Sequence, residues 1–171
     1  MQNDPPKPEL DEETIAFAQR VFQHARAGQV EELGDLLRMG LPPNLRNEKG
    51  DSLLMLASYN GHADAVRLLM EHGADAELAN DRGQTPLAGA AFKGDMATIM
   101  ALLDGGADVN GRSDGGKTPL MIAAMFNRSE IVEVLLARGA DPQARDAGGL
   151  TAGALAAAMG ATDTAERLSG I

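Results

Sequence analysis

The sequence predicts an all-α fold, a solenoid of about five stacked helix-turn-helix units. The first observation behind this prediction is a repeat: four glycines follow one another at a single constant interval, at Gly50, Gly83, Gly116 and Gly149. The second is composition, because 44% of the residues are hydrophobic and only 3% are aromatic. A core of Ala, Leu, Val, Ile and Met suits closely packed helices better than a β-sandwich. The third is helical spacing of the apolar residues between the glycines.

Other positions obey the same period. Further glycines are separated by it at Gly73, Gly106 and Gly139, and so are leucines at Leu69, Leu102 and Leu135. Gly28 also precedes Gly61 by one period, which indicates a degenerate copy before the first clear one. Many coincidences at one period, here about 33 residues, indicate a repeat architecture rather than chance.

The elements of one unit can be predicted in order. Thr118 and Pro119 open a short helix, because the Thr hydroxyl can accept a free N–H and Pro tolerates the first helical position. The apolar segment LMIAAM forms this helix, and Asn127 ends it. The segment SEIVEVLLARG forms a second helix, with Ser129 as its N-cap and Gly139 at its end. Helices this short are marginal alone, so the units must stack to bury their apolar faces.

Three segments resemble the ankyrin repeat: GDSLLMLASYNGHADAVRLLMEHGADAELA, GQTPLAGAAFKGDMATIMALLDGGADVNGR and GKTPLMIAAMFNRSEIVEVLLARGADPQAR. The resemblance implies antiparallel helix pairs in an L-shaped stack, with β-hairpin fingers along one edge. It covers roughly residues 14–171 and divides the chain into a flexible tail (1–13), an N-terminal cap repeat (14–46), three central repeats (47–79, 80–112 and 113–145) and a C-terminal cap repeat (146–171).

The resemblance also implies where a partner would bind, because function is expected in the residues that a repeat leaves free to vary. In ankyrin repeats these are the finger tips and the solvent-facing residues of the first helix, which line a concave groove. At the finger tips they are Lys49, Asp51, Asp81, Arg82, Gln84, Asp114 and Lys117. On the first helices they are Tyr59, Asn60, Phe92, Lys93, Met125 and Phe126.

Tyr59, Phe92 and Met125 occupy the same position after three successive hairpin glycines, so stacking is expected to align them along the groove. Two interpretations stay open. Exposed aromatic and Met side chains are common at interface hot spots, which favours a binding stripe. Alternatively, these side chains only pack on one another and on the next helix pair.

A column of arginines occupies an equivalent position just before the hairpin glycines, at Arg46, Arg112 and Arg145. One interpretation is a basic line that binds a carboxylate-bearing partner. The other is local ion pairing with Asp81, Asp114 and Asp146 on adjacent fingers.

Residues for catalysis or metal binding are sparse. The chain has no cysteine, and its three histidines, His24, His62 and His72, do not share a ligand spacing such as i, i+4. Ser52 and Ser58 have no evident base partner. We therefore expect no enzymatic activity, no cofactor and no metal site.

The formal net charge of −10 predicts repulsion from nucleic acid and from anionic membranes, and attraction to a basic protein surface. The predicted function is a monomeric, non-catalytic module that binds a folded protein partner, like the small ankyrin-repeat proteins common in bacteria. An inhibitor or immunity-type protein is one specific form of this hypothesis, and a self-associating scaffold is the alternative. The first residues lack a basic and an apolar signal region, so a cytoplasmic location is expected, and a periplasmic one stays open if a signal peptide was removed.

Overall fold

The computed structural model describes residues 11–171 and contains ten α-helices within them. In chain order they are α1 (Glu12–Ala27), α2 (Val30–Arg38), α3 (Leu53–Tyr59), α4 (Ala63–Glu71), α5 (Pro86–Lys93), α6 (Met96–Asp104), α7 (Pro119–Met125), α8 (Ser129–Ala137), α9 (Ala152–Ala158) and α10 (Thr162–Leu168). Most of the predicted tail lies outside the described residues, and α1 begins at Glu12 with Asp11 as its N-cap.

The helices form consecutive pairs that stack into two layers. The first helices of the pairs, α1, α3, α5, α7 and α9, each pack on the next in the series. In the second layer α2 packs on α4, α4 on α6, and α8 on α10. This arrangement confirms the predicted all-α repeat solenoid. None of the described helices has the length and apolarity that a bilayer crossing requires.

Each first helix of the second to fifth pairs begins at a hydroxyl residue, as predicted for Thr118. The side-chain oxygens of Thr85, Thr118 and Thr151 accept the N–H three residues further on at 3.3 Å, and that of Ser52 does so at 3.0 Å. The predicted cap of the second helix at Ser129 is wrong, because Ser129 is the first helical residue. Arg128 occupies the N-cap position and makes no side-chain capping bond.

The core runs along the whole stack between the two helix layers. The three leucines related by the repeat period, Leu69, Leu102 and Leu135, are fully buried. Because each of them lies on a second helix and packs in the shared core, the period places one leucine per repeat in an equivalent buried position. The core therefore continues from one pair to the next instead of being divided into separate clusters.

The finger loops are tight turns closed by backbone hydrogen bonds. The N–H of Asn80 donates to the carbonyl of Gln84 at 2.9 Å, and the N–H of Ser113 donates to that of Lys117 at 2.9 Å. Within residues 11–171 there is no strand and a single isolated antiparallel bridge, between Arg46 and Ser52. The solenoid is therefore confirmed, whereas the β-hairpin form of its fingers is not.

Backbone hydrogen bonds also join neighbouring fingers. The N–H of Asp81 donates to the carbonyl of Lys49 at 3.1 Å, and the N–H of Asp114 donates to that of Gly83 at 2.8 Å. The fourth finger continues the series, since the N–H of Ala147 donates to the carbonyl of Gly115 at 2.8 Å. These bonds fix the spacing between finger tips, and so the spacing of any side chains that the tips present.

The last helix pair is tied to the preceding one by Asn127. It has a φ of 54°, the one positive value at a non-glycine residue in the described chain. Its Oδ1 accepts the backbone N–H of Thr164 at 3.1 Å, and its Nδ2 donates to Asp163 at 2.9 Å. Thr164 is the third residue of α10, whose N-cap Ala161 has no side-chain oxygen. Asn127 therefore caps α10 from the neighbouring repeat.

Candidate binding groove

Two of the first helices, α3 and α5, are buried except at their C-terminal ends. In α3 every residue from Leu53 to Ser58 is buried, and in α5 every residue from Pro86 to Ala91 is buried. The next residue in each helix is exposed: Tyr59 retains 41% of its accessible surface and Phe92 retains 43%. A helix packed between two neighbours and its own partner has no other free side, so these ends define the groove.

The third repeat presents a different residue from the one that the period predicts. Met125 is half-buried and packs on the core, whereas its neighbour Phe126 retains 41% of its accessible surface. The rings of Phe92 and Phe126 meet edge to face, with centroids 4.9 Å apart and planes at 88°. The exposed row is therefore Tyr59, Phe92 and Phe126, which we call the aromatic row.

The aromatic row combines features of both open interpretations. Phe92 and Phe126 pack on each other, and the Lys93 ammonium lies 4.7 Å from the centre of the Tyr59 ring. Yet each of the three rings keeps about two fifths of its surface open to solvent. Internal packing thus orders the rings without covering them.

Two small hollows separate the first helices from the fingers. The first, of about 280 Å³, is lined by predicted site residues from two repeats: Lys49, Asp51, Tyr59, Asn60, Arg82 and Gln84. The second, of about 230 Å³, is lined by Arg82, Gln84, Phe92, Asp114, Lys117, Met125 and Phe126. Arg82 and Gln84 line both hollows, so the second finger forms the wall between them. Of the remaining predicted residues, Lys93 packs on Tyr59, and Asp81 lies outside the hollows near Arg46.

Sequence reasoning missed two polar residues that line the first hollow, and also the apolar Met55 and Leu56 at its base. Arg26 lines it from the C-terminal end of α1, and its position one repeat period before Tyr59 was a signal that the sequence offered. Asn80 is buried beneath the finger. Its Nδ2 donates to Asp51 Oδ1 at 2.9 Å and to Gln84 Oε1 at 3.1 Å, so Asn80 orients both finger side chains.

The arginine column braces the fingers. The guanidinium of Arg112 donates to the carbonyls of Gly116 at 2.6 Å and Arg145 at 2.8 Å, one in its own finger and one in the next repeat. The guanidinium of Arg46 likewise donates to the backbone carbonyls of Gly50 at 3.0 Å and Ala79 at 2.9 Å.

Arg145 donates to the carbonyl of Gly149 at 2.8 Å. An ion pair with a neighbouring aspartate forms in one of the three cases, between Arg46 and Asp81 at 3.4 Å. The interpretation of the column as local ion pairs is thus wrong for Arg112 and Arg145, which bind backbone carbonyls instead.

The histidines contact backbone or amide groups rather than a shared ligand. His62 Nε2 lies 2.8 Å from the carbonyl oxygen of Arg26, and His72 Nδ1 lies 2.9 Å from that of Leu68. His24 contacts the Gln29 side chain. Within residues 11–171 no three His, Cys, Asp or Glu side chains come together as metal ligands would.

Comparison with known proteins identifies the family. The family model described as ankyrin repeats matches the chain in three copies, at residues 21–113, 73–146 and 89–170. These matches together span most of the sequence, so the chain belongs to the ankyrin-repeat family. Ankyrin repeats generally mediate protein–protein interaction, and proteins of the family are typically non-catalytic.

A relative supports the same assignment. An ankyrin repeat protein of Pseudomonas aeruginosa is 65% identical to this chain over 65 residues. The matched segment covers 38% of this chain and 38% of the relative.

Proposed function

We propose that this protein is a non-catalytic interaction module that binds a folded protein partner through the aromatic row and the two hollows beside it. The observation that carries the proposal is the aromatic row itself. Three rings, each about two fifths exposed, lie at the C-terminal ends of α3, α5 and α7, and the residues that precede them in these helices are buried or half-buried. Partly exposed, ordered aromatic side chains are the residues from which interface hot spots are most often built.

The size of the hollows favours a protein partner over a small-molecule ligand. Their volumes, about 280 and 230 Å³, fall below the range of about 300–1,000 Å³ that is typical of ligand pockets. Each hollow has room for one or two side chains of a partner. Because bonds between fingers fix the hollows in place, binding requires little rearrangement of the groove.

An inhibitor or immunity-type role is a second form of this proposal, and it requires a basic partner, in contrast to the acidic partner inferred below from the charges of the hollows. It is motivated by the net charge of −10, which favours a basic partner such as the active-site cleft of a toxin or nuclease. In that case binding should weaken steeply as salt is added. If the affinity for basic partners does not depend on ionic strength, the role is ruled out.

The first test is affinity capture with a groove variant and a matched control. Wild type is compared with a variant that carries Tyr59→Ala, Phe92→Ala and Phe126→Ala. The control is Phe17→Ala, because Phe17 is an aromatic residue of α1 with the same 41% exposure.

We expect a partner that is captured by wild type and by the control, and lost with the groove variant. A partner retained by the groove variant contradicts binding through the aromatic row. Light scattering of the same samples tests the self-associating alternative. A wild-type dimer that the groove variant converts to monomer assigns the aromatic row to self-association instead.

A further inference from the structure

We infer that the groove binds an acidic segment of its partner, a stretch of peptide in which carboxylate side chains alternate with apolar ones. This inference rests on the proposed function and adds the chemistry of the partner. The evidence is the way in which charge is divided between the two helix layers.

Four of the helices that wall the groove carry no carboxylate, and the fifth, α1, has Glu12 and Glu13 in its first turn, at the opposite end from Arg26. The sequences of α3, α5, α7 and α9 contain no Asp or Glu, and their one charged residue is Lys93. The second helices all carry carboxylates: Glu31, Glu32, Asp35, Asp64, Glu71, Asp104, Glu130, Glu133, Asp163 and Glu166. The second-helix layer, on the side away from the groove, is therefore the more acidic of the two helix layers.

The cations of the second-helix layer and those of the hollows differ in whether they form ion pairs. Four cations of the second-helix layer lie in ion pairs: Arg38 with Asp35, Arg67 with Asp64, Arg138 with Asp104, and Arg167 with Glu133. The cations that line the hollows are Arg26, Lys49, Arg82 and Lys117. Among the described residues, no carboxylate lies within ion-pair distance of any of these four.

Two carboxylates face the four cations. Asp51 is held by the amide of Asn80 at 2.9 Å, and Asp114 lies on the exposed tip of the third finger. The hollows therefore hold an excess of positive charge in a protein of net charge −10. At physiological ionic strength the screening length is about 8 Å, so a bound segment senses these cations more strongly than the carboxylates of the outer layer.

The aromatic row favours a peptide over a nucleic acid as the polyanion. Single-stranded nucleic acids bind by stacking bases on open ring faces. Here the Lys93 ammonium lies over the Tyr59 ring, and Phe92 meets Phe126 edge to face. The rings offer edges and small apolar surfaces, which suit Leu, Met or aromatic side chains of a peptide placed between its carboxylates.

A random twelve-residue peptide library displayed on phage tests the inference without assuming a partner. Wild type is compared with a groove variant carrying Arg26→Gln, Lys49→Gln, Arg82→Gln and Lys117→Gln. The control carries Arg38→Gln, Arg67→Gln, Arg138→Gln and Arg167→Gln, so both variants lose the same four charges. Circular dichroism checks that each variant is folded. If either quadruple variant is unfolded, the single variant Arg82→Gln is tested in place of the groove variant.

We expect the peptides selected by wild type to be enriched in Asp and Glu together with apolar residues. A synthetic copy of the best peptide should bind the groove variant about tenfold more weakly or worse, and the control within about twofold of wild type. Its affinity for wild type should also fall as salt is added.

Other results overturn the inference. If the selected peptides are neutral or basic and lose binding in the triple-Ala variant of the aromatic row, the proposed groove is supported but the inferred acidic partner is wrong. A twenty-nucleotide poly-dT strand that binds wild type more tightly than every selected peptide identifies nucleic acid as the occupant. Peptides that bind wild type and the triple-Ala variant of the aromatic row equally well contradict the proposed function as well.

Discussion

Substitutions of Asn127 can distinguish two contributions to the free energy of unfolding: the capping bond to α10 and the strain of a left-handed backbone conformation. Asn127 occupies the position at which other units have Gly28, Gly61, Gly94 and Gly160, all with positive φ. Asn tolerates this conformation better than other non-glycine residues, whereas for Ala it costs about 1–2 kcal/mol. Both Ala and Gly remove the oxygen that accepts the Thr164 N–H, and loss of such a cap costs about 1 kcal/mol.

The two substitutions should therefore differ by the strain alone. We expect Asn127→Gly to lower the free energy of unfolding by about 1 kcal/mol, because the lost cap is partly offset by glycine's tolerance of the left-handed conformation. We expect Asn127→Ala to lower it by about 2–3 kcal/mol, the sum of the lost cap and the strain. Urea unfolding followed by circular dichroism measures both values.

Hydrogen exchange locates the effect. The amide of Thr164 should exchange faster in both variants, because its acceptor is gone, while the amide of Val66 in the second repeat should be unaffected. Equal stabilities of the Ala and Gly variants would contradict a left-handed conformation at Asn127. If the Gly variant were as stable as wild type and the Thr164 amide exchanged at an unchanged rate, Asn127 would not be acting as the cap of α10.

Three further predictions concern the core, the loops and the fingers. Leu102→Ala should lower the free energy of unfolding by about 2–5 kcal/mol, and an unchanged urea midpoint would contradict the buried register. Burial, with Asp108 and Asp75 nearby, raises the pKa of Glu77 above 4.5, so the folded state loses stability as pH rises from 4.5 through that higher pKa. Glu77→Gln should flatten this step in the pH dependence of Tm and gain less than about 1 kcal/mol at neutral pH, since the site is partly solvated, and an unaltered pH profile would refute it. Arg112→Ala should cost about 1 kcal/mol and speed amide exchange at Gly116, and protection like that of wild type would show that Arg112 does not brace the finger.

The fold was predictable from the sequence because the period is a property of spacing alone. Leucines separated by one repeat period must occupy equivalent places in a stack, and the structure buries all three of them. The helix starts at Thr85 and Thr118 were predictable for a local reason, since the capping oxygen and its N–H lie three residues apart.

The details that were missed depend on contacts between repeats. The choice between Met125 and Phe126 as the exposed residue depends on a one-residue rotation of the helix end, which the period cannot resolve. Asn127 was predicted to end its helix, yet its cap on α10 joins residues 37 positions apart. Likewise, the bonds from Arg112 to backbone carbonyls could not be distinguished by sequence from ion pairs with aspartates.

The net charge of the chain and the local charge of the hollows favour different partners. A sum over the chain gives −10, and it predicts a basic partner only if the charge is spread evenly. That prediction remains untested, but every second helix carries carboxylates, whereas the hollows hold four cations and two carboxylates. Over a screening length of about 8 Å a partner responds to the face that it touches rather than to the sum.

In the proposed groove, residues that hold a finger in shape lie beside residues whose side chains are free to contact a partner. Arg46 and Asn80 hold carbonyls or finger side chains, so changing them disturbs the geometry of a finger. Lys49, Arg82 and Lys117 have side chains without such bonds in the described structure, so replacing them should alter stability by no more than about 0.5 kcal/mol. Variation at these three positions can therefore change the partner while the stack keeps its shape, which explains how one repeat architecture can present a groove whose charge is opposite to that of the whole chain.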